Sequence, residues 1–130
     1  MLLYSIIESP TFPIFNLLYQ TLNIEEIQFK NIRKAMNHLK NRAPDFIVAE
    51  FFYGYSNNYA GINISNLDIL LFALQKYAPK SKVIVLVDKK EVGYVAPLNN
   101  IFQLHQVLIK PIDIKKMEQV LEGVNLKNRG

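Results

Sequence analysis

The chain has no cysteine. That removes disulfides, thiolate zinc sites and thiol nucleophiles together, and it fits a reducing compartment. No apolar run is long enough to cross a bilayer. The opening stretch, MLLYSIIESP, lacks the basic start and small-residue cleavage site of a signal peptide, so a cytoplasmic location is expected. Glycine is missing from ESPTFPIF, the stretch after the first apolar run, which excludes the glycine-rich phosphate loop of a nucleotide or flavin site. There are two histidines, His38 and His105, far apart and without an acidic partner at ligand spacing. Neither metal binding nor catalysis is expected of them, and both are read as solvent-facing. Ser9 has no histidine at a matching strand end to activate it as a nucleophile.

Charge is sparse as well. Charged residues make up 20% of the chain and hydrophobic ones 50%, a balance that excludes a disordered tail. The net charge of +4 concentrates at Lys30, Arg33, Lys34, Lys40 and Arg42, around one predicted helix. A nucleic-acid site usually brings a denser stripe with aromatics on the same face. A solvated basic face is therefore expected, and nucleic acid is disfavoured as a partner.

What is present is a regular alternation. The 130 residues suit one domain with a sizeable core. Leu2 to Ile7 reads as a strand that stops at Glu8-Ser9-Pro10. TFPIFNLLYQTL sets Ile14, Leu17, Leu18 and Leu22 on one helical face, with Pro13 near the first turn. EEIQFK is a second strand. NIRKAMNHLKNR is a helix burying Ile32, Ala35, Met36 and Leu39, with Asn31 as its cap. DFIVAEFF is apolar almost throughout, as a strand covered on both faces should be. SNLDILLFALQKYA is a helix whose Ser65 and Asp68 resemble a capping box. KVIVLV is the clearest strand. KKEVGYVAPLNNIFQL is a poor helix, interrupted by Gly93 and Pro97. QVLIKP is the fifth strand, and DIKKMEQVLEGV closes as a helix capped by Asp113, with Ile114, Met117, Val120, Leu121 and Val124 inward.

Five strands alternating with five helices predict an α/β fold with a doubly wound parallel sheet and helices on both faces. Sites in such sheets form beyond the carboxyl ends of the strands. The candidate residues are therefore Glu8 and Ser9, Glu50, Val87 and Asp88, and Lys110.

Those strand ends, in this order and at these intervals, resemble the receiver domain of the response regulators of bacterial two-component systems. VLIKPID is the most specific piece, because the family typically ends its fifth strand with a lysine followed by a cis-proline, here Lys110-Pro111. PDFIVAE resembles the segment leading to the phosphorylated aspartate, and KVIVLV resembles the fourth strand. The resemblance covers residues 1–124, with 125–130 as a tail. It implies a flavodoxin-like sheet of order 2-1-3-4-5 between two helical layers, and membership of a phosphorelay.

The departures from that pattern carry the functional expectation. Glu50 stands where the family has its phospho-acceptor aspartate. Glu8 and Ser9 stand for an acidic pair, Val87 for a hydroxyl, and Val107 for the aromatic switch residue. Mg²⁺, which the family uses, demands oxygen ligands at about 2.0–2.1 Å with little tolerance. One extra methylene displaces the Glu50 carboxylate by roughly 1 to 1.5 Å, and Val87 has no donor for a phosphoryl oxygen. The expectation is a degenerate receiver with neither catalytic activity nor a cofactor, in which Glu50 reaches Lys110 as an ion pair; a solvated Glu50 is the alternative.

Such a domain is expected to act as a stand-alone protein-binding module. Its surface is the one the family builds from the fourth helix, fifth strand and fifth helix, which also makes a homodimer possible. Here that surface comprises Tyr94, Leu98, Phe102, Val107, Lys115, Lys116 and Gln119. The long aromatic loop FFYGYSNNYAGIN adds Tyr53, Tyr55 and Tyr59, either as partner contacts or as a lid over the pocket. A receiver still accepting phosphate on Glu50 or Asp88 is the runner-up, ahead of a nucleic-acid module.

Overall fold

The structure is a computed structural model. It describes residues 1–9, 15–54 and 64–129, with side chains up to Glu122. Strands β1 (Leu2–Ile6), β2 (Glu25–Phe29), β3 (Phe46–Glu50), β4 (Lys82–Val87) and β5 (Gln106–Ile109) form one parallel sheet of order β2-β1-β3-β4-β5. Helices α1 (Asn16–Thr21), α2 (Ile32–Leu39), α3 (Asp68–Tyr77) and α4 (Ile114–Arg129) connect or follow them. The last helix runs through Val124, where the resemblance ends, to Arg129.

Two cores flank the sheet and explain the continuous apolar strands. One side takes Ile32, Ala35 and Leu39 of α2 and Leu70, Leu71 and Leu74 of α3. The other takes Phe15, Leu18 and Tyr19 beside Met117 and Leu121 of α4. Strands β1, β3 and β4 contribute alternate residues to each side, so the fold is the three-layer, flavodoxin-like architecture expected. Two of the expected caps form, on α2 and α4. Asn31 accepts the Lys34 amide at 2.9 Å, and Asp113 accepts the Lys116 amide at 2.9 Å. Only half of the predicted box of Ser65 and Asp68 forms: Asp68 accepts the Ser65 amide at 2.8 Å, but the Ser65 hydroxyl donates to the same carboxylate at 2.9 Å, and the cap of α3 is Leu67, without a side-chain bond.

Three expectations need correction. The first helix buries Phe15, Leu18 and Tyr19, with Leu22 partly covered, a face turned by one residue from the predicted one. Leu17 is left 71% exposed. Ile14 and Pro13 lie outside the described residues. In α4 the core takes Met117 and Leu121 and passes over Ile114, which is exposed.

The third correction is the largest. The predicted fourth helix is two 3₁₀ turns, Val92–Tyr94 and Ala96–Asn100. Their amides bond three residues back, Leu98 to Val95 and Ile101 to Leu98, both at 2.9 Å. At three residues per turn, i and i+3 share a face. Val95 and Leu98 are therefore buried, with Ile101 packed against them, and Leu98 is removed from the expected surface.

Candidate functional site

The register of the sheet brings the strand ends together. Ile6 sits opposite Ala49, which places the segment after β1 beside Glu50. Val87 sits opposite Ile109, which places Lys110 just beyond the end of β4. The Lys110 amide donates to the Val87 carbonyl at 2.8 Å, and the Lys110–Pro111 bond is cis. From β5 the lysine side chain passes the end of β4 to reach Glu50 on β3.

Glu50 is 1% exposed, and its carboxylate is bonded on both oxygens. The amides of Glu8 and Ser9 donate to Oε1 at 2.7 and 2.8 Å, and the Lys110 ammonium donates to Oε2 at 2.8 Å. Glu50, Glu8, Ser9 and Lys110 thus form one cluster, with the ion pair in place of the solvated carboxylate. Val87 is fully buried at its edge and contributes only backbone. The Phe52 ring stands 5.5 Å from the Lys110 ammonium as a further, cation–π contact.

Asn66 was not singled out in the sequence. Its side-chain amide donates to the Glu50 carbonyl at 2.9 Å, while its side-chain oxygen accepts the Phe52 amide at 2.8 Å. Its own backbone amide donates to the Phe52 carbonyl at 3.2 Å. An asparagine just ahead of a helix, free to bond backbone, was the available signal. Replacing Asn66 with alanine leaves a buried carbonyl and amide without these partners and is expected to cost about 2 kcal/mol. Urea unfolding measures the loss, and an unchanged midpoint refutes the bridge.

The stem of the aromatic loop is closed by an antiparallel bridge between Tyr53 and Ser65 and by the Gly54 amide on the Ile64 carbonyl at 2.9 Å. Gly54 has φ +64°, a left-handed conformation that suits glycine. The Tyr53 ring stacks on Tyr94 with centroids 3.8 Å apart, and its amide reaches Glu91 at 3.3 Å. Tyr53 therefore joins the segment after β4. Tyr55 and Tyr59 lie outside the described residues. Of the expected surface, Tyr94, Lys115, Lys116 and Gln119 are exposed, whereas Phe102 and Val107 are half-buried against the core. His38 is partly buried, with its ring 5.7 Å from both Tyr4 and Phe29, so it is not the solvent-facing residue expected.

The two acids of the cluster shift in opposite directions. Burial pushes the Glu50 carboxyl up, but the Lys110, Ser9 and Glu8 hydrogen bonds outweigh it and hold the group below its ordinary 4.5. Burial and the nearby Glu50 charge push Glu8 up from 4.5. A depressed acid stabilises the fold above its unfolded value and loses that contribution as pH falls through its folded value; a raised acid does the reverse. The Glu50 contribution is thus complete above 4.5 and fades below it, while protonating Glu8 relieves repulsion. Glu8→Gln is expected to raise stability at neutral pH and to leave the acid-side loss from Glu50 in place, measured by urea unfolding against pH. A variant no more stable than the parent at neutral pH contradicts this.

These residues do not fit Mg²⁺. Glu8 stands close enough to feel the Glu50 charge, and both oxygens of Glu50 are already bonded within the chain. Among the described residues no group of three or more His, Cys, Asp or Glu is placed to hold a metal ion.

The fold is that of the response-regulator receiver domains. The REC domain of AraT, a response regulator from Geobacillus stearothermophilus, superimposes with a TM-score of 0.73 at 16% identity, over 98% of this chain and 95% of that one. A response regulator from Burkholderia pseudomallei, with a phosphorylated aspartic acid and a calcium ion, gives 0.66 at 15% identity, over 98% and 72%. NtrX from Brucella abortus gives 0.66 at 16% identity; the match covers 98% of this chain but spans only 28% of NtrX. No family model and no curated protein matches the sequence.

Proposed function

We propose that this chain is a pseudo-receiver of two-component signalling, a module that binds a partner protein without being phosphorylated. The observation that carries this is the burial of Glu50, with both carboxylate oxygens already hydrogen-bonded within the chain. A receiver's acceptor carboxylate must be open to a phosphodonor and a metal, whereas this one is buried and holds two amides and an ammonium. Lys110, the lysine with which the family ends its fifth strand, meets Glu50 Oε2. The pair thus stands in for a phosphoryl–lysine contact and fixes one arrangement of the strand ends permanently. Output then comes from the surface, with Tyr94, Lys115, Lys116 and Gln119 as the exposed members. The partner is another signalling protein or a second copy of this chain.

The test is incubation with acetyl phosphate and Mg²⁺ followed by intact-mass measurement and peptide mapping. The expected outcome is no phosphoryl gain on Glu50 or Asp88. A stoichiometric gain on either would make the protein a working receiver with unusual ligands.

A further inference from the structure

The opposite end of the sheet carries a groove unrelated to the Glu50 cluster. It lies where the chain leads into β4 and β5, and it is a half-open depression of about 680 Å³ with polar and apolar walls. Its origin is local. β4 starts at Lys82, but its pairing with β5 begins only at Ile84 opposite Gln106, so the segments before the two strands diverge. Ser81 turns inward, its hydroxyl donating to the Pro44 carbonyl, which leaves Lys80 and Lys82 exposed on either side of it. The facing wall holds Phe102, Leu104 and His105. That wall is tied down, with the Leu104 amide on Asn99 at 2.9 Å, the His105 amide on the Val83 carbonyl at 2.8 Å and the Gln75 side chain on the Ile101 carbonyl.

Charge selects the ligand. Among the described residues lining the groove none is acidic, while two are lysines. The nearby Asp45 carboxylate is engaged by the Leu2 amide at 2.7 Å. Beyond the groove, α2 and α3 end on the same side of the sheet, with the Lys40 and Lys76 ammoniums 5.9 and 5.3 Å from the Tyr77 ring centroid. We propose that this groove binds a phosphate monoester carried on a ring or other apolar body. The phosphate sits on Lys80 and Lys82, and the apolar part lies against Phe102 and Leu104. Two ammoniums supply charge-assisted bonds to a dianion, and the half-buried ring and leucine supply the contact area that a bare anion cannot use.

The experiment is an amide NMR titration of the full chain at low salt with three probes: phenyl phosphate, inorganic phosphate and a short oligothymidine. Phenyl phosphate is expected to give saturable shifts confined to the amides of residues 80–82 and 102–105. Inorganic phosphate should bind there about tenfold more weakly, having no apolar part to bury. Lys80→Gln with Lys82→Gln removes two exposed charges and should leave the rest of the spectrum in place, while weakening phenyl phosphate about a hundredfold. Absence of saturable shifts, or equal binding by the double variant, overturns the site. Equal binding of the two phosphates overturns the role given to Phe102 and Leu104. Oligothymidine binding far tighter than phenyl phosphate, spreading to Lys40 and Tyr77, overturns a small ligand in favour of a nucleic-acid track.

Discussion

Replacing Lys110 with methionine is expected to lower the unfolding free energy by about 3 kcal/mol, the usual result of removing one partner from a buried ion pair. The cause is the position of Glu50. At 1% exposure it cannot turn to water, so the variant must either keep an uncompensated carboxylate or protonate it. Lys110 differs, with about a quarter of its side chain exposed at 24%. Glu50→Gln keeps the shape and an acceptor for the Glu8 and Ser9 amides, and the freed ammonium can hydrate, so that change should cost only about 1 kcal/mol. The deficit of Lys110→Met should shrink as pH falls and Glu50 takes up a proton. Urea unfolding of the two variants from neutral to acid pH measures all three quantities. Equal costs, each below about 1 kcal/mol, would mean a solvated pair.

Leu98→Ala should cost about 3 kcal/mol, in the range for truncating a fully buried leucine. Tyr94→Ala, four residues earlier, should stay within about 1 kcal/mol, since Tyr94 is exposed and loses mainly its stacking on Tyr53. An α-helix would place both residues on one face; the 3₁₀ turns place Leu98 with Val95 and Ile101 instead. Thermal or urea unfolding separates the cases. Similar small losses at both positions would restore Leu98 to the surface. For a partner protein the consequence is that Tyr94 is available to contact it and Leu98 is not.

Much of the frame was legible because its signals are strong and local. KVIVLV reads as a buried strand and is β4 over the same residues, Lys82–Val87. Asn31 and Asp113 read as caps because a short polar side chain ahead of an apolar-periodic run has one good use. The meeting of Glu50 and Lys110 was favoured over a solvated Glu50 because the carboxyl ends of parallel strands share one edge of the sheet, and the lysine is long enough to cross the end of β4, which lies between β3 and β5. The failures share a different physics. The surface carried over from the family presumes a fourth α-helix at 3.6 residues per turn, a spacing that errs where the chain makes 3₁₀ turns around Gly93 and Pro97. That spacing also errs in a six-residue helix such as α1, where Phe15 and Tyr19 outweigh Leu17 for the core. Asn66 stayed hidden because its partners, the Glu50 carbonyl and the Phe52 backbone, carry no sequence signature. The Tyr53–Tyr94 stack joins residues far apart in sequence, and periodicity is silent on such contacts.

The most direct test of the closed Glu50 cluster is an amide NMR titration with Mg²⁺ and then beryllofluoride, a mimic of the phosphoryl group. Resonances of Glu8, Ser9, Glu50 and Lys110 should remain fixed at millimolar metal and after the mimic is added, because every oxygen of Glu50 already has its partners. A saturable shift at these residues that spreads along β5 would show a pocket that still opens to metal and phosphate, and would contradict a phosphorylation-independent module.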